Sequence, residues 1–151
     1  MIKYNITQLS APDIYDYLKN NENLFVPPFS GRLDLKSYSK KLHKYAVHFC
    51  AFDYNRLVGL IACYFNDPTK KIAFISSGSV VKEFQEMGVF SALLSLVRSY
   101  GVLNQFNNLQ LEVFSENQNA IRIFQKLGFE DFDRKNQIIT MELKIGDRGK
   151  C

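Results

Sequence analysis

Residues 80–94 read Val-Val-Lys-Glu-Phe-Gln-Glu-Met-Gly-Val-Phe-Ser-Ala-Leu-Leu and decide how the chain folds. An apolar strand ends near Val81, a polar loop with one glycine follows, and an amphipathic helix begins at Val89. A helix start presents unpaired N–H groups and the positive end of the helix dipole, which suits a phosphate or pyrophosphate. The stretch lacks GxxxxGK[ST] and GxGxxG, so it is neither a P-loop nor a dinucleotide-binding turn. An ordinary strand-to-helix turn remains the alternative.

Apolar periodicity on both sides of this junction predicts an α/β chain. The predicted strands cover 2–6, 46–54, 57–65, 71–81, 109–115, 129–135 and 137–145, with a tight turn at Asn55-Arg56. The predicted helices cover 11–20 (capped by Ser10), the face Leu35-Tyr38-Leu42-Tyr45, 89–105 and 117–127. The helix over 89–105 has the stripe Phe90, Leu93, Leu94 and Val97. The last helix has the stripe Ala120, Ile123, Phe124 and Leu127 and ends at Gly128. The order β-αα-βββ-α-β-α-ββ predicts a mixed sheet with helices on both faces.

Length and composition favour one small domain. The 151 residues fit a single domain over 1–145, with 146–151 expected to form a flexible tail. The net charge of +4 is spread without a Lys/Arg block, so no nucleic-acid partner is expected and a small anionic ligand is weakly favoured. The chain shows no signal peptide or membrane span, and its three cysteines are widely spaced. We expect a cytoplasmic protein with no membrane partner, either a monomer or a homodimer.

Two motifs resemble a known family. Gln85-x-x-Gly88-x-Phe90, followed by Ser91-Ala92-Leu93-Leu94, is similar to the acetyl-CoA loop of the GNAT acetyltransferase superfamily, whose pattern is Gln/Arg-x-x-Gly-x-Gly/Ala. Leu111-Glu112-Val113, Asn117-x-x-Ala120 and Phe124-x-Lys126-x-Gly128-Phe129 resemble the LEV…N…A…Y…K-x-GF segment of the same family. The predicted element order also fits, so the resemblance covers nearly the whole chain. It implies the GNAT-like fold with splayed central strands.

The resemblance implies acetyl-CoA as cosubstrate, no metal, and a set of residues that bind the cosubstrate. Val80, Val81 and Lys82 correspond to the strand end whose backbone pairs with the pantetheine arm. The loop whose N–H groups hold the pyrophosphate corresponds to Gln85, Glu86, Met87, Gly88, Val89, Phe90 and Ser91, with Gly88 allowing close backbone approach. Asn117 corresponds to the residue that contacts the pantetheine or the sulfur end of the cosubstrate, and Phe124 completes the predicted set of cosubstrate-binding residues. The strands containing Val80 and Val113 should splay and leave a slot for the thioester.

Two residues depart from the family pattern. Phe90 stands where the family usually has glycine or alanine, although members with sugar substrates share it, and the ring is expected to pack beneath the loop. Phe124 stands where the family has the tyrosine that serves as general acid. Phenylalanine cannot protonate a thiolate, so water or another hydroxyl has to do so. This departure makes a catalytically silent acetyl-CoA-binding module the rival of an enzyme.

Glu112 is the candidate general base. It shares one face of its strand with Gln110 and Phe114, opposite Leu111 and Val113. A carboxylate in a central strand is expected in a wet groove or in a pair, and the resemblance matches Glu112 to the base of members that acetylate ribosomal-protein N-termini. It would take the proton that the acceptor amine loses, directly or through one water. A structural glutamate hydrogen-bonded inside the sheet is the alternative.

Other side chains are weaker candidates. His43 and His48 straddle a helix–strand boundary and do not form a metal pair, so ordinary surface or half-buried histidines are expected. Cys63, in an apolar strand, is expected to be a buried inert thiol. Ser76-Ser77-Gly78-Ser79 is not a nucleophile elbow but would line the thioester slot. Tyr64 is a candidate substitute acid, with packing in the core or at an edge as the alternative.

The acceptor is expected beside the loop Leu24 to Arg32, whose aromatic and proline residues suit a sugar ring or an apolar side chain. The stretch Gly59 to Asp67, with Phe90, is similar to family members associated with bacterial surface-polysaccharide synthesis. We therefore predict an N-acetyltransferase that moves an acetyl group from acetyl-CoA to a primary amine by direct attack. An amino sugar or nucleotide-linked amino sugar is the predicted acceptor, and a peptide or protein N-terminus is the alternative.

Overall fold

A seven-stranded sheet positions the site. In the computed structural model, which describes residues 1–25, 34–67, 69 and 71–146, the strands lie in the order β1-β2-β3-β4-β5-β7-β6. The strands are β1 Ile2–Ile6, β2 Ala46–Asp53, β3 Arg56–Tyr64, β4 Ile72–Val80, β5 Asn108–Phe114, β6 Glu130–Lys135 and β7 Ile138–Lys144. The helices are α1 Ala11–Asn20, α2 Leu35–Tyr45, α3 Val89–Leu103 and α4 Gln118–Lys126, with short 3-10 turns at Glu22–Leu24 and Lys82–Phe84. The predicted α/β fold and element order are confirmed.

Two predicted boundaries are wrong for reasons that lie in the backbone. The turn between β2 and β3 consists of Tyr54 and Asn55 rather than Asn55 and Arg56, because Asp53 pairs with Arg56. Tyr54 takes a φ of 55°, a conformation that an aromatic residue in a sequence does not signal. Helix α3 ends at Leu103 rather than at 105, because Gln105 has a φ of 69° and cannot continue a right-handed helix. The other element ends differ by at most one residue.

Helices α3 and α4 differ in how well their buried faces were predicted. Helix α3 packs on β2, β3 and β4 and buries the predicted Leu93, Leu94 and Val97. In α4 the buried residue is Ile121, whereas Ile123, which the predicted stripe includes, is 43% exposed. The prediction for Ile123 is wrong because the face of α4 that packs on the core contains Ala120, Ile121 and Phe124, and Ile123 lies to one side of that face.

Buried polar side chains fasten α1 and α2 to the sheet. The ring of His48 is fully buried: its Nδ1 accepts a hydrogen bond of 2.9 Å from the Leu9 N–H, and its Nε2 donates one of 2.8 Å to the Leu42 carbonyl. The expectation of a surface or half-buried His48 is therefore wrong. Burial lowers the pKa of His48, so the ring stays neutral and serves as a structural link between the start of α1, the end of α2 and β2.

Strands β4 and β5 pair at one end and separate at the other. Their parallel pairing runs from Ile72 opposite Asn108 to Ile75 opposite Leu111. A bulge at Ser76 marks the point of separation, because Ser77 pairs with Ala62 of β3 whereas Ile75 pairs with Cys63. Beyond it, residues 76–80 and 112–114 diverge, and this opening is named the fork. The predicted splay of the strands containing Val80 and Val113 is confirmed.

Some predictions fall on residues that the structure does not describe. The loop over 24–32 is described only as far as Phe25, and the tail over 146–151 only at Gly146. A single domain over 1–145 stays a prediction. Across the described ranges, none of the helices has the length and apolar character needed to cross a membrane.

Candidate active site

The loop between β4 and α3 has the backbone of an anion site. Glu86 and Gly88 take left-handed φ angles of 63° and 79°, and Gly88 is the N-cap of α3. Left-handed residues in a turn direct neighbouring N–H groups toward one side. In the part of the chain that the structure describes, no backbone carbonyl pairs with the N–H groups of residues 86–91. A Cβ at Gly88 would meet no atom within 4 Å, so no described group covers that side of the glycine.

The strand end before this loop is already partly hydrogen-bonded. The Val80 carbonyl accepts a bond of 3.0 Å from Gln85 Nε2, and the Val81 N–H donates one of 2.8 Å to the Val58 carbonyl. These bonds tie the loop to the end of β4 and to β3. Pairing of Val80, Val81 and Lys82 with the pantetheine arm stays a prediction, and the Val81 N–H is not available for it while its bond to the Val58 carbonyl persists.

An exposed ion pair supports the loop from outside. The Arg56 guanidinium makes two hydrogen bonds, of 3.0 and 3.1 Å, with the Glu83 carboxylate. Arg56 begins β3 and Glu83 lies in the Lys82–Phe84 turn, so the pair links the β2–β3 hairpin to the start of the loop. The hydrogen bonds and positive charge of Arg56 lower the pKa of Glu83 below its usual value. The hydrogen bonds and negative charge of Glu83 raise the pKa of Arg56 above its usual value.

The fork opens into a cleft of about 420 Å³, named the fork cleft. Four predicted site residues line it together: Phe90, Glu112, Asn117 and Phe124. They come from α3, β5, the cap of α4 and α4, so the fold assembles in one place residues that are up to 34 positions apart in the sequence. The predicted pyrophosphate loop ends at the same helix start that carries Phe90. One elongated ligand can therefore contact the loop and reach the cleft.

Two phenylalanine rings form one wall of the fork cleft. A Cβ at Gly78 would lie 3.1 Å from Phe90 Cε1, so the Phe90 ring lies directly against the β4 backbone, while packing beneath the loop stays a prediction. The ring centroids of Phe90 and Phe124 are 6.0 Å apart, and Phe124 packs edge-on against Phe129 at 5.7 Å. This wall is apolar, and at position 124 it offers no proton donor.

Asn117 is positioned by its role as the cap of α4. Its Oδ1 accepts a hydrogen bond of 3.2 Å from the Ala120 N–H, its N–H donates to Phe114, and its carbonyl accepts from Ile121. The Nδ2 donor group has no partner among the described residues and is open to a ligand. The predicted contact of Asn117 with the pantetheine or the sulfur end would therefore be a donated hydrogen bond.

Glu112 stands between two cavities. Its side chain is exposed, and none of the described residues hydrogen-bonds or ion-pairs with its carboxylate. The alternative of a glutamate hydrogen-bonded inside the sheet is therefore not what the structure shows. Glu112 also borders a second cavity of about 690 Å³, named the β5–β7 groove, whose other lining residues are Phe114, Asp133, Lys135, Asn136, Gln137, Ile138 and Thr140.

Hydroxyl groups gather at the bulge that starts the fork. The oxygens of Tyr38 and Ser76 lie 2.6 Å apart, and both residues line the fork cleft. Ser77 lines it too, and its buried Oγ has no hydrogen-bond partner among the described residues. The buried Tyr64 hydroxyl lies beside Ser76. Burial raises the pKa of Tyr64, and the nearby Ser76 hydroxyl offsets part of that rise. The sequence predicts that Ser76 and Ser77 line the thioester slot, but it places Tyr38 only on the apolar face of its helix and gives no sign that its hydroxyl reaches Ser76.

The remaining candidates stay outside this site. Cys63 is fully buried, and burial raises the pKa of its thiol, as expected for an inert side chain. His43 Nδ1 lies 2.8 Å from the Leu9 carbonyl, which the ring can serve as donor. Across the described ranges, no three His, Cys, Asp or Glu side chains are grouped as metal ligands.

One family model matches most of the chain. The model of the family described as "Acetyltransferase (GNAT) family" matches residues 13–129. No curated protein matches the sequence.

Solved structures match the fold over almost the whole chain. A GNAT-family protein from Desulfovibrio desulfuricans has a TM-score of 0.79 at 14% identity, covering 96% of this chain and 99% of that chain. The ribosomal-protein-S18-alanine N-acetyltransferase of Escherichia coli has a TM-score of 0.73 at 19% identity, with coverage of 98% and 97%. The PaiA N-acetyltransferase of Thermoplasma acidophilum, solved with coenzyme A, has a TM-score of 0.74 at 17% identity, with coverage of 94% and 99%. At these identities the likeness concerns the fold.

Proposed function

This chain belongs to the acetyltransferase (GNAT) family and is therefore an acetyl-CoA-dependent N-acetyltransferase, and from that premise we propose that it acetylates an amino sugar or nucleotide-linked amino sugar. Family membership favours a working transferase over a silent acetyl-CoA-binding module. The observation that carries the proposal is the position of Glu112, whose carboxylate borders both the fork cleft and the β5–β7 groove.

Acetyl-CoA would occupy the side of the cleft that begins at the loop. Its pyrophosphate would lie on the N–H groups of residues 86–91, because no backbone carbonyl of the described residues pairs with them and they lie at the positive end of the α3 dipole. The arm would then run into the fork. Divergent strands leave backbone groups that need partners, and the amides of the pantetheine arm can provide them.

Glu112 would act as the general base in direct attack. The amine has to lose a proton before or during its attack on the thioester. A carboxylate that is exposed, unpaired and placed between the two cavities can accept that proton directly or through one water. The same negative charge attracts an ammonium group to the groove.

The lining of the β5–β7 groove favours a polar acceptor with several hydroxyl groups. Asn136, Gln137 and Thr140 offer hydrogen-bond donors and acceptors, and the Phe114 ring offers an apolar face for a sugar ring. Lys135 would attract a phosphate if the sugar is linked to a nucleotide. The resemblance of Gly59 to Asp67 and Phe90 to polysaccharide-associated members supports the same class.

A peptide or protein N-terminus is the second acceptor class. The fold match to the E. coli ribosomal-protein-S18-alanine N-acetyltransferase favours it, as does the match of Glu112 to the base of such members. A peptide would lie along the groove in extended form, whereas a sugar would need only the part near Phe114 and Thr140.

Acetyl-CoA turnover against a panel of acceptors tests the proposal. Free-thiol release is followed with amino sugars, nucleotide-linked amino sugars and short peptides, each at the same amine concentration. Release that depends on an amino sugar supports the proposal, and release only with peptides assigns the second class. Tight acetyl-CoA binding without thiol release with any acceptor would contradict both acceptor classes. It would favour a catalytically silent acetyl-CoA-binding module.

A further inference from the structure

The protein replaces the hydroxyl that position 124 lacks: we propose that the Tyr38–Ser76 pair donates the proton that the leaving CoA sulfur needs. Phe124 presents only a ring to the fork cleft, while Tyr38 and Ser76 bring two hydroxyl groups to the same cleft. The inference rests on the direct transfer proposed above, but it does not depend on which amine is the acceptor.

The geometry of the pair suits a proton relay. The Tyr38 hydroxyl lies 2.6 Å from Ser76 Oγ and 3.1 Å from the Ser76 carbonyl, and its single proton can be donated to either oxygen. When the Tyr38 proton is donated to Ser76 Oγ, the Ser76 proton is not needed within the pair and can point into the cleft. Both residues are half-buried, so their hydroxyls contact the cleft without being fully solvated. A short hydrogen bond between two hydroxyls is the arrangement through which a proton passes from one oxygen to the next.

The pair also stands at the right place along the strands. Ser76 is the first residue of β4 beyond its last pair with β5, and Glu112 is the first residue of β5 beyond the same pair. A proton acceptor and a proton donor therefore lie on the two strands at the point where these part. An acyl group that reaches the closed end of the fork has Glu112 on one side and Ser76 on the other.

The reaction balances with these groups. The amine nitrogen forms a bond to the thioester carbonyl carbon, and the C–S bond breaks with its electron pair on sulfur. Glu112 takes the amine proton, Ser76 gives its hydroxyl proton to sulfur, and Tyr38 gives its proton to Ser76 Oγ. Proton return from Glu112 through water restores Tyr38, so the products are the amide and the free thiol. The ordinary pKa values of a phenol and a thiol differ by less than about two units, so the transfer is accessible.

The chain contains a matched pair that does not line the cleft. Tyr17 of α1 lies 3.0 Å from Ser79 Oγ and donates to the Ser79 carbonyl at 3.3 Å, the same arrangement three residues further along β4. Both residues are buried, and neither lines the fork cleft. Burial raises the pKa of Tyr17 to about 12. Tyr17→Phe therefore removes an equivalent hydroxyl and hydrogen bond from the fold without touching the proposed relay.

The test compares Tyr38→Phe, Ser76→Ala, their double variant and Tyr17→Phe, each with and without Phe124→Tyr. With saturating acetyl-CoA and the best acceptor of the panel, we expect Tyr38→Phe and Ser76→Ala to lower kcat about 10- to 100-fold. The double variant should be no slower than the slower single variant, because residues that act as one unit are not additive. Phe124→Tyr should restore most of the rate. Tyr17→Phe should lower the melting temperature and leave kcat near that of the wild type.

A binding measurement separates this inference from the proposed function. The pKa of the bound CoA thiol is read from thiolate ultraviolet absorbance, with desulfo-CoA as blank, and Ser76→Ala should raise it because the thiolate loses a donor. This readout needs no acceptor, so a panel without turnover still leaves the relay tested. Wild-type kcat in Tyr38→Phe and Ser76→Ala, or no rescue by Phe124→Tyr, or an unshifted thiol pKa would overturn the relay. If Ser76→Ala does not fold, Tyr38→Phe decides by the same criteria.

Discussion

The two sides of the fork cleft are built from different chemical groups. On the cofactor side, the loop over 85–91 offers backbone N–H groups, held by two left-handed residues and a helix start. On the acceptor side, side chains from α2, β4, β5 and β7 meet across the sheet. A backbone site depends on local conformation and leaves a compact motif in the sequence. A side-chain site depends on strand register and leaves residues scattered along the chain.

The largest effect on the rate is expected from replacing Glu112 on the acceptor side of the cleft. Glu112→Gln keeps the size of the side chain and removes the base, so kcat should fall about 100-fold while acetyl-CoA affinity is unchanged. Transfer by the variant should recover as the pH rises and the acceptor amine loses its proton unaided. Steady-state kinetics and calorimetric titration with acetyl-CoA measure the two sides separately.

Glu142→Gln is the matched control for that experiment. Glu142 lies on the same face of the sheet but accepts a hydrogen bond of 2.7 Å from Gln110 and lines neither cavity. It should transfer at the wild-type rate. If Glu112→Gln also does so across the pH range, Glu112 is not the base.

On the cofactor side, replacing Gly88 should weaken the binding of acetyl-CoA. Valine at a φ of 79° is strained by about 1–3 kcal/mol, so the loop of Gly88→Val should leave its conformation and bind acetyl-CoA about 10- to 100-fold more weakly. At saturating acetyl-CoA, kcat should stay close to the wild-type value. Calorimetry provides the affinity.

Glu86→Gly controls for this change, since it keeps the left-handed φ of 63° accessible at position 86, two residues before Gly88. Its affinity should remain near that of the wild type. Unchanged affinity in Gly88→Val would remove the pyrophosphate-loop assignment.

The same contrast explains what the sequence could predict. The loop, its glycine and the following helix are local, so the residues near 85–91 and the element order were predicted from spacing and motifs. The splay of β4 and β5 followed from the resemblance and is confirmed by their pairing. Ile123 was misplaced because a periodic stripe fixes a helix face only to within about one residue.

Tyr38 and His48 show why the rest was out of reach. Tyr38 lies at an apolar spacing in α2, and only the packing of α2 beside the bulge places its hydroxyl against Ser76, 38 positions away. His48 is buried because two backbone groups, from Leu9 and Leu42, lie on either side of its ring. Neither contact has a local sequence signal, since both depend on which elements are neighbours in space.

Ser77 lies where the two sides of the cleft meet, and a change there should affect stability moderately. Its buried hydroxyl has no partner among the described residues, so Ser77→Ala should stabilise the fold by about 1 kcal/mol and raise the melting temperature by about 2–4 °C. Ser79→Ala is the control, because its hydroxyl is bonded to Tyr17 and its loss should lower the melting temperature. A Ser77→Ala protein that melts below the wild type would mean that the hydroxyl is satisfied in solution.

The smallest effect is expected from Arg56→Ala, which sharpens the view of the cofactor side. Because Arg56 lowers the pKa of Glu83, the pair contributes stability above the ordinary pKa of a glutamate and loses it as the pH falls through the lowered value. The melting temperature of Arg56→Ala should therefore lie slightly below that of the wild type near neutral pH, and the difference should vanish in acid and in high salt. Acetyl-CoA affinity should change little, because the shape of the loop depends on its own backbone conformation, with left-handed φ angles at Glu86 and Gly88. If Arg56→Ala weakens acetyl-CoA binding as much as Gly88→Val does, the loop needs the Arg56–Glu83 ion pair to keep its shape. The backbone conformation alone would then not be enough to form the cofactor site.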